Sequence, residues 1–270
     1  MATFDFHMHT DSSPDGNASA LEMCEAAIAK GITHIAITDH LDFPDYETDR
    51  YAERTERSWA EQTAAKAAVD GRLRVERGIE IGSPLLDVEL TEKTLAAHPY
   101  DFVLASLHQL GRHPDFYFLD FSQIDILKTI DEYFEGIYNI VKWGKFSSLA
   151  HLTYPFRYIP DDLRPKDYAR WDDHITTILK ALAQSGRAME INTSGLRKKI
   201  GVTSPDFPLI QRYFDCGGEL VTVGSDAHYT QDVGANIDDG VALAAKAGFR
   251  YITVFEAGQP KPLPIEEILK

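Results

Sequence analysis

The chain has 270 residues, 44% of them hydrophobic, which is ample for a packed core, and no uninterrupted apolar stretch approaches the roughly 20 residues that a membrane-crossing helix needs. A formal net charge of −15 argues against a broad basic surface for duplex nucleic acid. Two cysteines far apart in sequence, Cys24 and Cys216, with no secretory leader before the first strand, argue against disulfides and export and for the cytoplasm.

The run Phe4-Asp5-Phe6-His7-Met8-His9 reads as a first strand, and Asp15 follows in the turn Ser13-Pro14-Asp15-Gly16. Ser19-Ala20-Leu21-Glu22 is a capping box, after which Leu21, Cys24, Ala27 and Ile28 recur at helical spacing until Gly31 ends the helix. His40 closes the next apolar run, Ile35-Ala36-Ile37-Thr38-Asp39-His40. Glu80 sits within Gly78-Ile79-Glu80-Ile81-Gly82, and His108 follows Ala105-Ser106-Leu107. Phe134, Ile137, Tyr138 and Val141 form a helical stripe stopped by Gly144, and His151 then ends Leu149-Ala150-His151. A second stripe, Ile175, Ile178, Leu179 and Leu182, precedes the apolar run Ala188-Met189-Glu190-Ile191. Asp226 and His228 lie in Gly224-Ser225-Asp226-Ala227-His228. Phe249–Phe255 is one more strand candidate, and Pro260 to Lys270 is expected to be a short tail.

Strands at 4–9, 33–39, 74–81, 102–108, 146–151, 188–193 and 219–225 therefore alternate with helices, the mark of a parallel sheet. Alternation alone leaves a doubly wound open sheet in competition with an α/β barrel. The six histidines and three carboxylates favour the barrel: they fall at or beyond the carboxyl ends of nearly every strand, and a closed ring brings those ends to one mouth. One domain over 1–270 is expected, its core about 3–256.

Taken singly, each of these residues has an ordinary reading. An His-x-His pair is commonly solvated, His108 and His151 suit a core, and Asp15 suits any turn. Glu80 stands out, because a carboxylate buried in an apolar run is costly unless it is paired or metal-bound. His7 and His9, at i and i+2 on an extended strand, point to the same side as co-ligation requires. Imidazole with carboxylate suits zinc, manganese or iron.

The ordered set resembles the polymerase-and-histidinol-phosphatase (PHP) family: an His-x-His start, an acidic or histidine ligand soon after, Thr-Asp-His, a lone Glu, two lone histidines and Asp-x-His near the end. It is most similar to the stand-alone histidinol-phosphate phosphatase branch, through Ala150-His151-Leu152-Thr153-Tyr154-Pro155-Phe156-Arg157-Tyr158 and Glu190-Ile191-Asn192-Thr193-Ser194-Gly195-Leu196-Arg197-Lys198. The resemblance implies a distorted (β/α)7 barrel holding two to three divalent ions (Zn, Mn or Fe). It implies one metal on His7, His9, Glu80 and Asp226, a second on Glu80, His108 and His151, and a third on Asp15, His40 and His228. Glu80 is the implied bridge, joining metals about 3.5–4 Å apart that share a hydroxide nucleophile. Arg157 and Arg197 are the implied phosphate contacts, suited by their planar donor forks.

Three divalent ions against three carboxylates would leave that pocket at about +3, so an acidic protein can still hold a phosphate. The implied activity is hydrolysis of L-histidinol phosphate to L-histidinol and phosphate, with Glu80, Asp226, Arg157 and Arg197 in the catalytic group. Such a substrate wants a carboxylate for its ammonium and an aromatic wall for its ring, for which Asp42, Asp45, Phe43, Tyr154 and Tyr117 are placed in mouth loops. The alternative is a PHP phosphoesterase or nuclease of other specificity. The expected partner is a small phosphorylated molecule rather than nucleic acid or a membrane, and neither the native metal nor the oligomeric state is fixed by sequence.

Overall fold

The computed structural model describes residues 3–43, 46–111 and 113–269. Strand β1 (Phe4–Asp5) leads to helix α1 (Ala20–Ala29), followed by β2 (His34–Ile37), β3 (His40–Asp42), α2 (Tyr51–Ala68), β4 (Arg74–Gly82), α3 (Val88–Ala97) and β5 (Phe102–Ser106). Next come α4 (Ile126–Trp143), β6 (Ser148–Leu149), α5 (Asp172–Ser185), β7 (Ala188–Asn192), α6 (Phe207–Asp215), β8 (Val221–Gly224) and α7 (Ile237–Ala247). The chain ends in β9 (Tyr251–Glu256), β10 (Gln259–Pro264) and the short α8 (Ile265–Ile268).

The sheet runs β1-β2-β4-β5-β6-β7-β8, every pairing parallel, and β3 continues the β2 position by pairing with β4. Its two ends meet: Met8 and Ala227 form a parallel bridge, Asp226 N–H donates to the His7 carbonyl at 2.8 Å, and His9 N–H donates to the Ala227 carbonyl at 2.8 Å. This is the nearly closed parallel barrel wrapped by helices that the strand-helix alternation and the spread of ligands predict.

The outer helices form where apolar residues recur at helical spacing. Ile175, Ile178, Leu179 and Leu182 of α5 are all buried, each worth about 1.5–3 kcal/mol against exposure. Phe134, Ile137 and Val141 of α4 are buried likewise, and Gly144 ends that helix at φ +67°, a backbone state that favours glycine. The capping box of α1 is complete, with Ser19 accepting from Glu22 N–H and the Glu22 carboxylate accepting from Ser19 N–H. Its buried face differs from the expected one. Ala20, Met23, Cys24 and Ala27 point inward while Leu21 is 43% exposed, because Ala20, Met23 and Ala27 offer a second face at the same helical spacing that shares Cys24 and Ala27 with the expected one.

Two expectations for the C-terminal end are corrected. The strand candidate at 249–255 does not join the barrel: β9 pairs antiparallel with β10, register Pro260↔Phe255. The stretch after Pro260 is no loose tail either, since β10 occupies it and Ile265 and Ile268 of α8 are buried in the main core. The alternation of proline with other residues in Gln259–Pro264 hid this strand from a pattern reading, as proline survives in a strand at an edge. Among the described residues no helix is long and apolar enough to cross a membrane.

Candidate metal centre

His7, His108, His151 and Asp226 each stand two residues beyond the last residue of β1, β5, β6 and β8, and so inherit the inward side of the strand that precedes them. The alternation is visible at the first strand, where Phe6 and Met8 pack in the core while His7 and His9 face the barrel mouth. His40 starts β3 and Glu80 lies near the end of β4, and the two are register partners. Asp15 and His228 come from the loops after β1 and β8. All nine expected metal-facing side chains are thereby brought to one place.

Glu80 is fully buried at the centre of the cluster. One oxygen, Oε2, lies 3.1 Å from His40 Nδ1, 3.2 Å from His7 Nε2 and 3.5 Å from His9 Nε2. The other, Oε1, lies 2.9 Å from His151 Nε2 and 3.2 Å from His108 Nε2. Asp226 Oδ1 sits 3.7 Å from His7 Nε2 and 3.6 Å from both His9 Nε2 and His228 Nδ1. Asp15, 59% exposed at the rim, reaches His228 Nε2 at 3.1 Å and His40 Nε2 at 3.7 Å. His9 is sandwiched between the rings of His40 and His228, at 4.1 and 4.2 Å.

This donor set fits cations better than protons. His7 Nε2 and His9 Nε2 face each other at 3.0 Å, and His108 Nε2 and His151 Nε2 at 3.5 Å. Two ring nitrogens at that separation repel if both carry a proton or both lack one, whereas a shared cation satisfies both. Potential ligand atoms within 4.8 Å of one another group as His7/His9/Asp226, His7/Glu80/His151, His40/Glu80/His108 and His9/His40/His228. The grouping differs from three discrete sets in that His40 belongs with Glu80 and His108 as well as with the rim. The cluster is continuous.

Burial opposes ionisation of Glu80 and Asp226, yet the imidazoles around them (and Arg157 beside Asp226) hold both carboxyls well below the usual range, and His40 and His228 do the same for Asp15. The imidazoles split. Despite burial, carboxylates pull His7 well up and His40 up to about 10, while burial together with neighbouring imidazoles pushes His9 well down. The metal-facing carboxylates are thus anions at neutral pH, as cation binding requires. His151 at φ +23° and Asp226 at φ +56° occupy backbone states costing about 1–3 kcal/mol each for a residue with a side chain, a strain that clusters at functional sites.

The two arginines are placed differently. Arg157 is buried, with Nη1 donating to Asp226 Oδ2 at 3.1 Å and Nη2 to Asn192 Oδ1 at 3.1 Å. Arg197 donates to the carbonyl of Ser225, the residue just before Asp226, at 2.7 Å and pairs with Asp232 at 3.6 Å. Of the mouth residues, Tyr154 lies 4.8 Å ring to ring from both His108 and His151 and donates to Asp115 at 3.0 Å, and Tyr117 is 63% exposed beside Tyr158. Phe43 is buried in a side cluster against Tyr46, and Asp42 is engaged with His108 Nδ1 at 2.7 Å, so neither is free for a ligand as expected. Asp45 lies outside the described residues.

Sequence reading missed the polar residues behind the cluster. Asp39 accepts from Thr10 N–H at 2.6 Å, Ser13 Oγ at 2.8 Å and Ser58 Oγ at 2.6 Å, fixing the turn that carries Asp15. Asp5 accepts from Ser225 and Gly234 N–H, both at 2.8 Å, fixing the turn of Asp226. Glu190 meets His7 Nδ1 at 2.6 Å. Its signal was present: like Glu80, it is a lone carboxylate inside an apolar strand.

The PHP domain family matches residues 5–194. A probable histidinol-phosphatase of Thermotoga maritima is 29% identical over 258 residues, covering 93% of this chain and 94% of its own. The histidinol-phosphatase of Lactococcus lactis is 27% identical over 262 residues, covering 94% and 95%. A crystal structure of histidinol phosphate phosphatase from Lactococcus lactis, complexed with zinc, L-histidinol and phosphate, superposes with a TM-score of 0.79 at 24% identity, over 96% of this chain and 99% of that one. The fold is the same.

Proposed function

This chain belongs to the PHP domain family, and from that premise we propose that it is a metal-dependent phosphatase that hydrolyses L-histidinol phosphate to L-histidinol and phosphate. The observation that carries the reading is Glu80, whose two oxygens each face a different set of imidazoles and so would serve two metal positions. His7, His9, Glu80 and Asp226 would hold one ion, Glu80, His108 and His151 a second, and Asp15, His40 and His228 a third, with His40 close enough to Glu80 to couple the rim to the floor. Two to three ions of zinc, manganese or iron suit these nitrogen and oxygen donors, and zinc accompanies the Lactococcus lactis relative.

Divalent cations bound there would supply Lewis acidity to phosphoryl oxygens and acidify water. The chain supplies the rest. Asp226 joins the two halves of the site, one oxygen toward His7 and His9, the other held by Arg157, Asn192 and Ser194. Arg157 is thereby aimed beside the reacting phosphoryl group, where its fixed charge offsets the negative charge that builds as the P–O bond to the alcohol breaks and the bond to the water oxygen forms. Arg197 completes the anion pocket by turning from Asp232 and the Ser225 carbonyl. Tyr117, 63% exposed, offers a ring face for the imidazole of the substrate, while Tyr154 is buried against His108 and His151. A cytoplasmic setting suits the free cysteines, Cys24 buried and Cys216 partly so.

Initial rates of purified protein on L-histidinol phosphate, p-nitrophenyl phosphate and single-stranded DNA, with zinc, manganese or iron supplied, test this reading. Histidinol phosphate should give the highest kcat/KM. Preferred cleavage of DNA would assign the site to a nuclease instead.

A further inference from the structure

Among the described residues, β7 is the barrel position that sends none of the nine metal-facing side chains to the mouth. It sends Glu190 instead. This carboxylate is 1% exposed, between Met189 and Ile191, both fully buried. A charged group so enclosed must be matched by donors, and its partners are specific. Oε1 meets His7 Nδ1 at 2.6 Å, and Oε2 accepts the backbone N–H of His151 at 2.8 Å and an Asn192 Nδ2–H at 3.3 Å.

Each contact constrains a different part of the cluster. With Nδ1 engaged by Glu190, the His7 ring is left to present Nε2, which is the nitrogen facing Glu80, His9 and Asp226. The grip on the His151 amide holds a residue whose φ of +23° is disfavoured for any side chain, and whose Nε2 faces the opposite oxygen of Glu80. Neighbouring β8 is cleared for this packing: a Cβ on Gly224 would collide with His7 Cβ and stand 2.8 Å from Glu190 Oε1. Asn192 extends the connection, since the same amide nitrogen also donates to Asp226 Oδ2 at 3.2 Å.

We propose that Glu190 is a positioning residue for the metal centre, a buried carboxylate that sets His7 through its ring and His151 through its backbone. The proposal rests on the metal-binding reading of the cluster and gives Glu190 no contact with substrate. Ligands assigned to two different metal positions are aligned from one side chain, so its loss loosens both. Hydrogen-bonded carboxylates behind metal-bound histidines orient the ring and raise its basicity, and their removal weakens metal binding about 10–100-fold.

The test compares wild type with Glu190→Gln, which keeps the volume but replaces one acceptor oxygen by a donor. Zinc dissociation constants from chelator competition should rise about 10–100-fold in the variant. The visible absorption of the cobalt-loaded protein should shift, while metal-free circular dichroism stays that of the wild type. Equal zinc affinity and an identical cobalt spectrum in the two proteins would overturn the role of Glu190 alone. Wild type that takes up no metal would instead sink the reading on which the proposal rests. If the variant fails to fold, histidine nitrogen NMR of zinc-loaded wild type decides: the proposal requires a proton on His7 Nδ1 and metal on Nε2, and the opposite arrangement overturns it.

Discussion

His40 and Glu80 are strand partners across β3 and β4, with His40 Nδ1 3.1 Å from Glu80 Oε2. The same His40 ring turns Nε2 toward Asp15 at 3.7 Å. One imidazole therefore spans the distance from the buried carboxylate to the exposed one, and the proposed metal positions share walls. Glu80→Gln should accordingly cost more than one equivalent of metal per chain and lower kcat/KM by about 10³-fold, about 4 kcal/mol in the transition state. Elemental analysis with steady-state kinetics checks both, and loss of a single equivalent with near-normal turnover would count against a shared centre.

Arg157 and Arg197 should separate in their effects. Arg157 is aimed by Asp226 and Asn192, whereas Arg197 is occupied by the Ser225 carbonyl and Asp232. Arg157→Ala should reduce kcat about 10²–10³-fold with metal content retained, the scale for losing one preorganised donor. Arg197→Ala should cost about tenfold, mostly in KM. Turnover unchanged in both variants would remove the arginines from the phosphate site.

Stripping the metals should destabilise as well as inactivate. An ion present at 100 times its Kd adds about 2.7 kcal/mol. For a chain of this size that corresponds to a Tm lower by roughly 5–10 °C after chelation. Differential scanning before and after chelation, with zinc added back, measures it. A metal-free protein of unchanged Tm would speak against the cluster as the binding site.

Away from the mouth, Glu76 gives a pH prediction. It is buried, and although burial opposes ionisation, His34 and Arg74 at 3.1 and 2.9 Å bring its carboxyl from 4.5 down to about 2. A depressed carboxyl stabilises the fold above its unfolded value, and that contribution fades as pH falls from about 4.5 toward 2. With Arg74 half exposed, we expect about 1–2 kcal/mol. Glu76→Gln should thus lower the urea midpoint at pH 7 and match wild type near pH 2. A gap that persists at the acid end would contradict the linkage.

What the sequence made legible was periodic or chemically costly. The strand-helix alternation, the stripe of α5 and the Ser19 capping box all appear in the fold because local pattern and global packing agree there. Glu80 was visible as a carboxylate in an apolar strand, and Glu190 carried the same signal. The engagement of Asp42 with His108, the burial of Phe43 and the occupation of Arg197 depend on which way loops turn, which no spacing encodes. The strand β9 was legible at 249–255, but its partner β10 was hidden because its prolines suppress the strand pattern at an edge that tolerates them.

The bridge between Met8 and Ala227 joins residues from nearly opposite ends of the chain, and His7, His9, Asp226 and His228 all flank that seam. A growing polypeptide that has not yet delivered β8 carries an unpaired edge on its first strand and only part of the histidine-carboxylate cluster. Assembly of the full cluster is therefore deferred until the last barrel strand arrives, so a product that ends before β8 lacks Asp226 and His228 and cannot complete it.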